Sequence, residues 1–226
     1  IKATVSSNHR QENRVIHADE IQVKGENINQ NYNQVISQYY LKPEIEIEGG
    51  LEVRRETKTW EELWEQHRIN ETSPCRCVGL NLETRPDNIS TQEVIRLRRL
   101  GATKTQIGFQ SLSDHVLKLN RRGHDTSATK KAVQLLRQAG FKIHAHWMPN
   151  LYGSTLAQDK QEFLALFTDP HYCPDELKIY PCALIPSAEL MQYYQDGRWQ
   201  PYSTEQLEEL LAFCLTHAPE WVRLNR

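Results

Sequence analysis

The chain has 226 residues, and its 27 basic and 29 acidic side chains leave a formal net charge of −2 at pH 7. This balance argues against attraction of the whole chain to nucleic acid, although a local basic patch remains compatible with it. Hydrophobic residues make up 38% and charged residues 25%, which is typical of a soluble globular protein, and no apolar run is long enough to cross a membrane.

The cysteines indicate a reducing compartment. The chain has five, an odd number, and its first residues lack the apolar stretch of a signal peptide. We therefore expect reduced thiols and a cytoplasmic location. The chain begins with Ile1 and stops at Arg226, and we interpret both ends as edges of a longer protein.

Residues 1–56 are rich in Asn, Gln and Glu and show weak helical periodicity, so we predict an irregular N-terminal segment there. Residues 57–226 form the second predicted region, which opens with a helix over Trp60–His67 after the N-cap Thr59. Strands and helices then alternate. The predicted strands are Cys77–Glu83, Lys104–Gln110, Lys142–Met148 and Leu177–Tyr180. The predicted helices are Thr91–Leu100, Ser113–Leu119, Thr126–Ala139, Thr155–Phe167, Ser187–Tyr194 and Thr204–Leu215. This alternation is the signature of parallel βα units, which form a barrel or a doubly wound sheet.

Each predicted strand has one apolar face and one polar face, because successive side chains point to opposite sides of a sheet. The polar faces carry Asn81, Glu83, Gln106, Gln110, His144, His146, Lys178 and Tyr180. Strands that helices cover on both sides read as continuous hydrophobic runs, and these do not. We therefore expect the polar faces to line the lumen of an open barrel. The alternative is an antiparallel sheet whose polar faces lie in water.

Several segments, in order, resemble the radical S-adenosylmethionine (SAM) domain of the Elongator catalytic-subunit family, the tRNA uridine acetyltransferases. They are CVGLNLETRPD from Cys77, LGATKTQIGFQS from Leu100, RRGH from Arg121, AGFKIHAHWMPNLYGS from Ala139 and LKIYP from Leu177. Other radical SAM families share the Gly-x-Gln strand, but the ETRPD and LKIYP segments favour the Elongator type. The resemblance covers residues 57–226 and implies an α/β fold, namely a partial (βα) barrel that lacks its first strands.

The resemblance also implies a function. The family uses SAM, a [4Fe–4S] cluster and acetyl-CoA to attach an acetyl-derived group to C5 of the wobble uridine. The reduced cluster cleaves SAM to a radical, which takes hydrogen from the acetyl group, and the carbon radical adds to the base. The implied partners are tRNA and the other subunits of an Elongator-like assembly, without a membrane.

By the same resemblance, Glu83, Gln110 and Ser111 hold the methionine and ribose of SAM, and His146 matches a family histidine. Lys178 and Tyr180 are candidates for binding substrate or a cofactor phosphate. A carboxylate accepts hydrogen bonds from an amine or a hydroxyl, and an amide both donates and accepts them. The alternatives are structural ion pairs, in which Glu83 pairs with Arg85, Arg121 or Lys178. Two histidines, His144 and His146, are too few for a zinc site.

The candidates for nucleic-acid contacts are Arg85, Arg99, Lys104, Arg121 and Arg122. All but Arg85 belong to basic runs on two helices and one loop, and the alternative for such runs is a solvated helix face.

The sequence departs from the family most clearly in its cysteines. It has no Cys-x3-Cys-x2-Cys triplet, since Cys75 and Cys77 stand one residue apart and the others are scattered. The glycine-rich strand after the cluster loop and the acetyl-CoA-binding domain are also missing, Tyr152 replaces a proline, and Cys182 replaces a threonine. We therefore expect no cluster in this chain by itself, and no activity. It is a fragment of a larger enzyme or a degenerate copy. Two other functions remain open: a cluster-free tRNA-binding scaffold, or a different radical SAM enzyme with a small-molecule substrate.

Overall fold

The computed structural model describes residues 58–225. The chain divides into two compact units between Arg76 and Cys77, and we describe each by itself. The predicted irregular segment, residues 1–56, lies outside the described residues. Between residues 58 and 225, no helix is long and apolar enough to cross a membrane.

The described part of the first unit contains one helix, α1 (Trp60–Thr72). Thr59 caps it in a reciprocal capping box, because its hydroxyl accepts from the Glu62 backbone N–H and the Glu62 carboxylate accepts from the Thr59 backbone N–H. The predicted helix and its N-cap are confirmed, and the helix runs five residues beyond His67.

The second unit alternates strands and helices, as predicted. In chain order its elements are β1 (Asn81–Thr84), a 3₁₀ turn (Pro86–Asn88), α2 (Thr91–Arg99), β2 (Lys104–Gln110), α3 (Asp114–Leu119), α4 (Thr126–Gln138), β3 (Lys142–Trp147), α5 (Leu156–Thr168), β4 (Glu176–Ile179), α6 (Leu190–Gln195), α7 (Thr204–His217) and β5 (Arg223–Leu224). Ser113 and Thr155, predicted as first helical residues, are instead the N-caps of α3 and α5.

The five strands form one open sheet in the order β1-β2-β3-β4-β5, and every neighbouring pair is parallel. The antiparallel alternative is therefore wrong. Strand β5 was not predicted, since two residues are too few to show a period. Strand β1 begins at Asn81 rather than Cys77, because the N–H of Leu80 donates to the Thr103 hydroxyl instead of to a strand partner.

The apolar faces of the strands pack against the helices. The central residues Ile107, Phe109, Ile143, Ala145, Trp147 and Leu177 are fully buried. They share one core with Val94 and Leu97 of α2, Val133 and Leu136 of α4, Phe163 and Leu166 of α5, and Leu210 of α7. Burial of this apolar surface is the main force that holds helices and sheet together. The polar residues of the opposite face do not belong to this core, so they remain available for a site.

Candidate functional site

Gln106 is at the centre of the polar face of the sheet. Its side-chain oxygen accepts a hydrogen bond of 2.8 Å from Lys178 Nζ and lies 2.7 Å from His146 Nε2. Because an ammonium group can only donate, the atom that it contacts must be the amide oxygen. That oxygen in turn requires His146 Nε2 to carry the proton. The sheet brings the three residues together, since Gln106 pairs with His144 and His146 pairs with Lys178 across the strands.

The other ring nitrogen of His146 faces Glu83. His146 Nδ1 lies 3.6 Å from Glu83 Oε1. Burial lowers the pKa of His146, and the positive charge of Lys178 adds to this, while Glu83 opposes it. The imidazole is therefore neutral at pH 7, and its unprotonated Nδ1 faces a carboxylate. Two acceptors so placed favour a donor between them, which an amine or a hydroxyl of a ligand supplies.

Tyr180 completes this group at the end of β4. Its ring centroid lies 5.7 Å from that of His146, and Lys178 Nζ lies 5.9 Å from the centre of the Tyr180 ring. The structure thus places Glu83, Gln106, His146, Lys178 and Tyr180 beside one another on one face. His144 adjoins them, with its ring centroid 5.5 Å from that of His146. Asn81 lies on the same face, by its place in β1.

Gln110 ends β2 in an unusual conformation. Its φ of +66° is left-handed, and the pairing with β3 shifts register between Gly108 and Gln110. The amide then lies over Gly108, where a Cβ would stand 2.6 Å from Gln110 Nε2. Its oxygen is buried and has no hydrogen-bond partner in the described part of the chain. An unpaired buried acceptor is costly, which favours a ligand that donates to it.

Arg122 adds an unused donor beside Gln110. Its Nη2 lies 3.8 Å from the position where a Gly108 Cβ would stand, and its buried Nε finds no acceptor among residues 58–225. Burial lowers the pKa of this guanidinium, and the nearby charge of Arg85 adds to the effect. An anionic group of a ligand would satisfy it.

Ser111 lies apart from this group. Its hydroxyl is hydrogen-bonded to both oxygens of Glu162, at 2.9 and 3.0 Å, and accepts from the Ser113 N–H. Strand alternation alone places Ser111 on the helix side of the sheet, opposite Gln110. A contact between Ser111 and a cofactor stays a prediction.

A second polar cluster occupies the N-terminal ends of the strands. Glu176 accepts hydrogen bonds from Lys104 at 2.9 Å and from Asn225 at 2.7 Å. Burial opposes ionisation of Glu176, but these hydrogen bonds outweigh it and lower the pKa of the carboxyl. His144 Nδ1 lies 3.5 Å from Glu176, and burial lowers the pKa of His144 to about 4. Sequence reasoning missed this cluster, although Lys104, His144 and Glu176 fall on the polar face by alternation.

The predicted nucleic-acid contacts do not lie at one end of the sheet. Lys104 begins β2 and Arg99 ends the preceding helix, whereas Arg121 and Arg122 follow β2 at its C-terminal end. Lys104 forms an ion pair with Glu176, and this ion pair would compete with the predicted contact of Lys104 with RNA.

The arginines proposed as structural partners of Glu83 form other ion pairs. Arg85 pairs with Asp87 at 2.8 Å and donates to the Arg122 carbonyl, and Arg121 pairs with Glu189 at 2.8 Å. Lys178, the third proposed partner, donates to Gln106. Glu83 is 64% exposed, and the ion-pair contact that the described residues give it is with His146. Glu83 is thus available to a ligand.

Family profiles match most of this architecture. The Radical SAM superfamily profile matches residues 17–162, and the Radical_SAM C-terminal domain profile matches residues 174–226. The chain belongs to the radical SAM superfamily. The match starts at residue 17, so the radical SAM similarity extends further toward the N-terminus than the motifs from residue 57 onward indicated.

The radical SAM chain is similar to curated proteins of the Elongator type. It is 42% identical over 172 residues to the tRNA uridine(34) acetyltransferase of Methanocaldococcus infernus, a match that covers 76% of this chain and 32% of that protein. It is 41% identical to the enzyme of that name from Dehalococcoides mccartyi, over 73% of this chain and 36% of the other. It is 34% identical to Elongator complex protein 3 of Homo sapiens, over 73% of this chain and 30% of that protein. The chain therefore spans about a third of the length of the curated relatives it matches.

Two solved structures of radical SAM proteins also match the fold of this chain. Methanocaldococcus infernus Elp3, with residues 1–46 deleted, matches with a TM-score of 0.70 and 42% identity, over 74% of this chain and 39% of that one. Coproporphyrinogen III oxidase of Escherichia coli matches with a TM-score of 0.50 and 16% identity, over 70% and 37%, which shows a common fold only.

The site fits one cofactor of the family and not the other. The unpaired oxygen of Gln110, the unused donor of Arg122 and the acceptor pair of Glu83 and His146 match the amine, carboxylate and hydroxyl groups of SAM. The [4Fe–4S] cluster does not fit, because the sequence has no cysteine triplet and residues 58–225 bring no three metal-binding side chains together.

Proposed function

We propose that this chain is the SAM-holding part of a tRNA-modifying radical SAM enzyme. The observation that carries the proposal is the group of polar side chains on the open sheet face, in which Glu83, Gln106, His146 and Lys178 touch one another. They lie in a chain whose relatives are named tRNA uridine(34) acetyltransferases. Ligands of parallel α/β sheets bind at the C-terminal ends of the strands, where Gln110 and Arg122 have unpaired polar atoms.

The side chains have distinct roles in this proposal. Gln110 accepts from a SAM hydroxyl or amine, and Arg122 donates to the SAM carboxylate. Glu83 and His146 Nδ1 together accept from a further donor. Lys178 places its ammonium group beside Tyr180, where a phosphate or carbonyl oxygen of the substrate approaches. Bound SAM supplies the radical chemistry that this superfamily is named for, and the chain's residues position it and exclude water.

The names of the relatives support a reaction on tRNA uridine. We infer that the complete protein attaches an acetyl-derived group to C5 of the wobble uridine in the cytoplasm, with acetyl-CoA as the donor. Segments beyond this chain supply the cluster cysteines and the acetyl-CoA site. Its partners are tRNA and, by analogy with the Elongator complex protein 3 relatives, further subunits of a similar assembly.

Substitution of Glu83 tests the proposal in the complete protein. Cells that lack the gene are complemented with the wild type, with Glu83→Ala or with Glu93→Ala, and uridine modifications in total tRNA are measured by mass spectrometry. Glu93 is the matched control, since its carboxylate pairs with Arg96 on helix α2, outside the lumen. We expect the wild type and Glu93→Ala to restore the modified uridine. We expect Glu83→Ala to restore almost none, while SAM binding to the purified protein falls at least tenfold, or about 1.4 kcal/mol.

Two results would overturn the proposal. If Glu83→Ala restored the modification fully, the polar face would not be the cofactor site. If deletion of the gene left all tRNA uridines unchanged, the substrate would not be tRNA uridine, and a scaffold or a small-molecule enzyme would be the better assignment.

A further inference from the structure

A cavity of about 460 Å³ is lined by residues outside the group described above. It is lined by His115, Lys118, Leu119, Arg121, Tyr152, Tyr193 and Arg198. These residues come from α3 and its end, from the turn after β3, and from α6 and the residues that follow it. The combination of basic side chains with aromatic rings is typical of sites for single-stranded nucleic acid.

Two tyrosines and an arginine form one wall of the cavity. The ring centroids of Tyr152 and Tyr193 lie 5.0 Å apart at 48°. The Arg198 guanidinium lies 4.0 Å from the centre of the Tyr193 ring, and Asp196 holds it through hydrogen bonds of 2.5 to 2.9 Å. Aromatic rings and guanidinium planes are the surfaces on which unstacked RNA bases stack.

The charges around the cavity favour an anion. Lys118 has no hydrogen-bond or ion-pair partner for its ammonium within residues 58–225. Arg121 pairs with Glu189, but the side chains are 70% and 50% exposed. Such exposed pairs contribute little, so a phosphate can replace the carboxylate at small cost. Glu189 and Asp196 are the acidic groups that hold the cavity's arginines, and neither lines the cavity.

The turn that carries Tyr152 is fixed against α3. Asn120 Nδ2 donates to the Tyr152 carbonyl at 2.8 Å, and also to Val116 O at 2.8 Å. Gly153 has φ +88°, and a Cβ at that position would overlap the Leu119 side chain. The Tyr152 ring is therefore attached to a close-packed support, which suits a preorganised binding surface.

We propose that this cavity binds one unstacked nucleotide of a single-stranded RNA loop. The base stacks on the surface of Tyr152, Tyr193 and Arg198, and its phosphate lies between Lys118 and Arg121. This proposal rests on the proposed function. Two neighbouring arginines connect the cavity with the lumen. Arg121 lines the cavity, and Arg122, the next residue, reaches over Gly108 in the lumen. The cavity therefore takes a nucleotide that flanks the one whose base enters the lumen.

Binding of a fluorescent anticodon stem-loop RNA to the complete protein tests the cavity. Tyr152→Leu keeps the bulk of the side chain and removes the aromatic ring, and we expect about tenfold weaker binding, typical of the loss of one stacked base. Tyr152→Phe should bind like the wild type. Lys118→Ala should weaken binding and lower the slope of log affinity against log salt by about one unit. Lys142→Ala is the control, since Lys142 is exposed at the opposite, N-terminal end of β3, and its slope should not change.

Abasic loops separate stacking from general charge attraction. A stem-loop without bases in the loop should bind equally weakly to the wild type and to Tyr152→Leu. Equal binding of the intact loop by the wild type and a folded Tyr152→Leu would overturn the proposal, and so would equal competition by duplex RNA or by an acidic peptide. The two proposals fail separately. Tyr152→Leu should retain SAM binding and Glu83→Ala should retain RNA binding, so loss of only one property identifies which site was assigned wrongly.

Discussion

The side chain of Gln110 shapes the lumen by folding back over Gly108. The left-handed backbone of Gln110 turns its amide back over Gly108, which has no Cβ to obstruct it. The left-handed region is uncommon for a residue other than glycine, so the surrounding structure must hold it. The result is a buried amide whose oxygen remains unpaired within the described residues, at the end of a central strand.

Gly108→Ala should therefore impair ligand binding more than stability. The added methyl would meet Gln110 Nε2, the far end of a flexible side chain, so the amide moves and the fold persists. We expect SAM binding to weaken about tenfold, the loss of one hydrogen bond to a buried group. Gly79→Ala is the matched control, because a Cβ there meets Thr103 Oγ1 at an ordinary 3.5 Å. Equilibrium dialysis with SAM and thermal unfolding of the complete protein provide the two readouts. Equal SAM affinities of the two variants would contradict this role of Gln110.

At the scale of elements, the buried Glu162 of α5 joins this helix to β2 and β3. Its carboxylate accepts from the Ser111 hydroxyl, from the Leu112 N–H at 2.9 Å and from Trp147 Nε1 at 3.3 Å. Burial raises the pKa of Glu162, although these hydrogen bonds oppose the shift. Asp159, one turn earlier, likewise accepts from the Tyr202 hydroxyl at 2.8 Å and from the Asn150 N–H at 2.7 Å. Helix α5 thus anchors the loops that end β2 and β3.

Glu162→Ala should destabilise the protein by about 3 kcal/mol, because it leaves several buried donors without an acceptor. Ser111→Ala removes one of those hydrogen bonds and should cost about 1 kcal/mol. Glu209→Ala is the control, since the exposed ion pair of Glu209 on α7 with Lys160 on α5 should contribute less than about 1 kcal/mol. Urea denaturation measures all three free energies of unfolding. A cost for Glu162→Ala no larger than that of Glu209→Ala would show that the junction is not structural.

At the scale of the whole molecule, the open sheet carries different polar groups at its two ends. The C-terminal ends have unpaired atoms on Gln110 and Arg122, which suit a ligand. At the N-terminal ends, Glu176 joins β2, β4 and the residue after β5 through Lys104 and Asn225. The neutral His144 of β3 completes that cluster, since Asn225 Nδ2 lies 3.2 Å from its Nε2.

The stability of the molecule should fall with acid because of this neutral histidine. The folded-state pKa of His144 is about 4, below the ordinary 6.5. Between these two values the unfolded chain binds a proton at His144 and the folded chain does not. This contribution is complete above pH 6.5 and decreases as the pH falls toward 4. Between pH 7 and pH 5 we expect a loss of roughly 2 kcal/mol from His144, at about 1.4 kcal/mol per pKa unit. The pKa of His146, also lowered, adds in the same direction.

Urea denaturation of the wild type and His144→Gln at several pH values measures this effect. The variant should lose less stability than the wild type between pH 7 and pH 5, because an amide does not take up a proton. His115→Gln, which changes an exposed histidine, should follow the wild type. Parallel curves for all three proteins would mean that His144 is not held neutral.

The sequence by itself determined most of the elements and the two faces of the four predicted strands. Helical and strand periodicities, caps such as Thr59 and stop signals such as Gly101 and Gly140 are local, so they can be read without knowledge of the fold. Alternation placed Gln106, His146 and Lys178 on one face, and the order of βα units placed their strands side by side. The family motifs lie on those same strands, which is why the superfamily and its candidate lumen were predictable.

Only the tertiary structure decided which atoms remain available. The left-handed turn at Gln110 and the partner of Lys104, Glu176, depend on contacts between residues far apart in the chain, which no local pattern contains. Alternation places Ser111 on the helix side, but only packing shows that its hydroxyl binds the buried Glu162 of a distant helix. The cavity at Tyr152 and Tyr193 is assembled from three separate segments, so its residues carry no common motif. Local pattern therefore fixes where side chains point, and packing between distant segments fixes which of them are satisfied and which can bind a ligand.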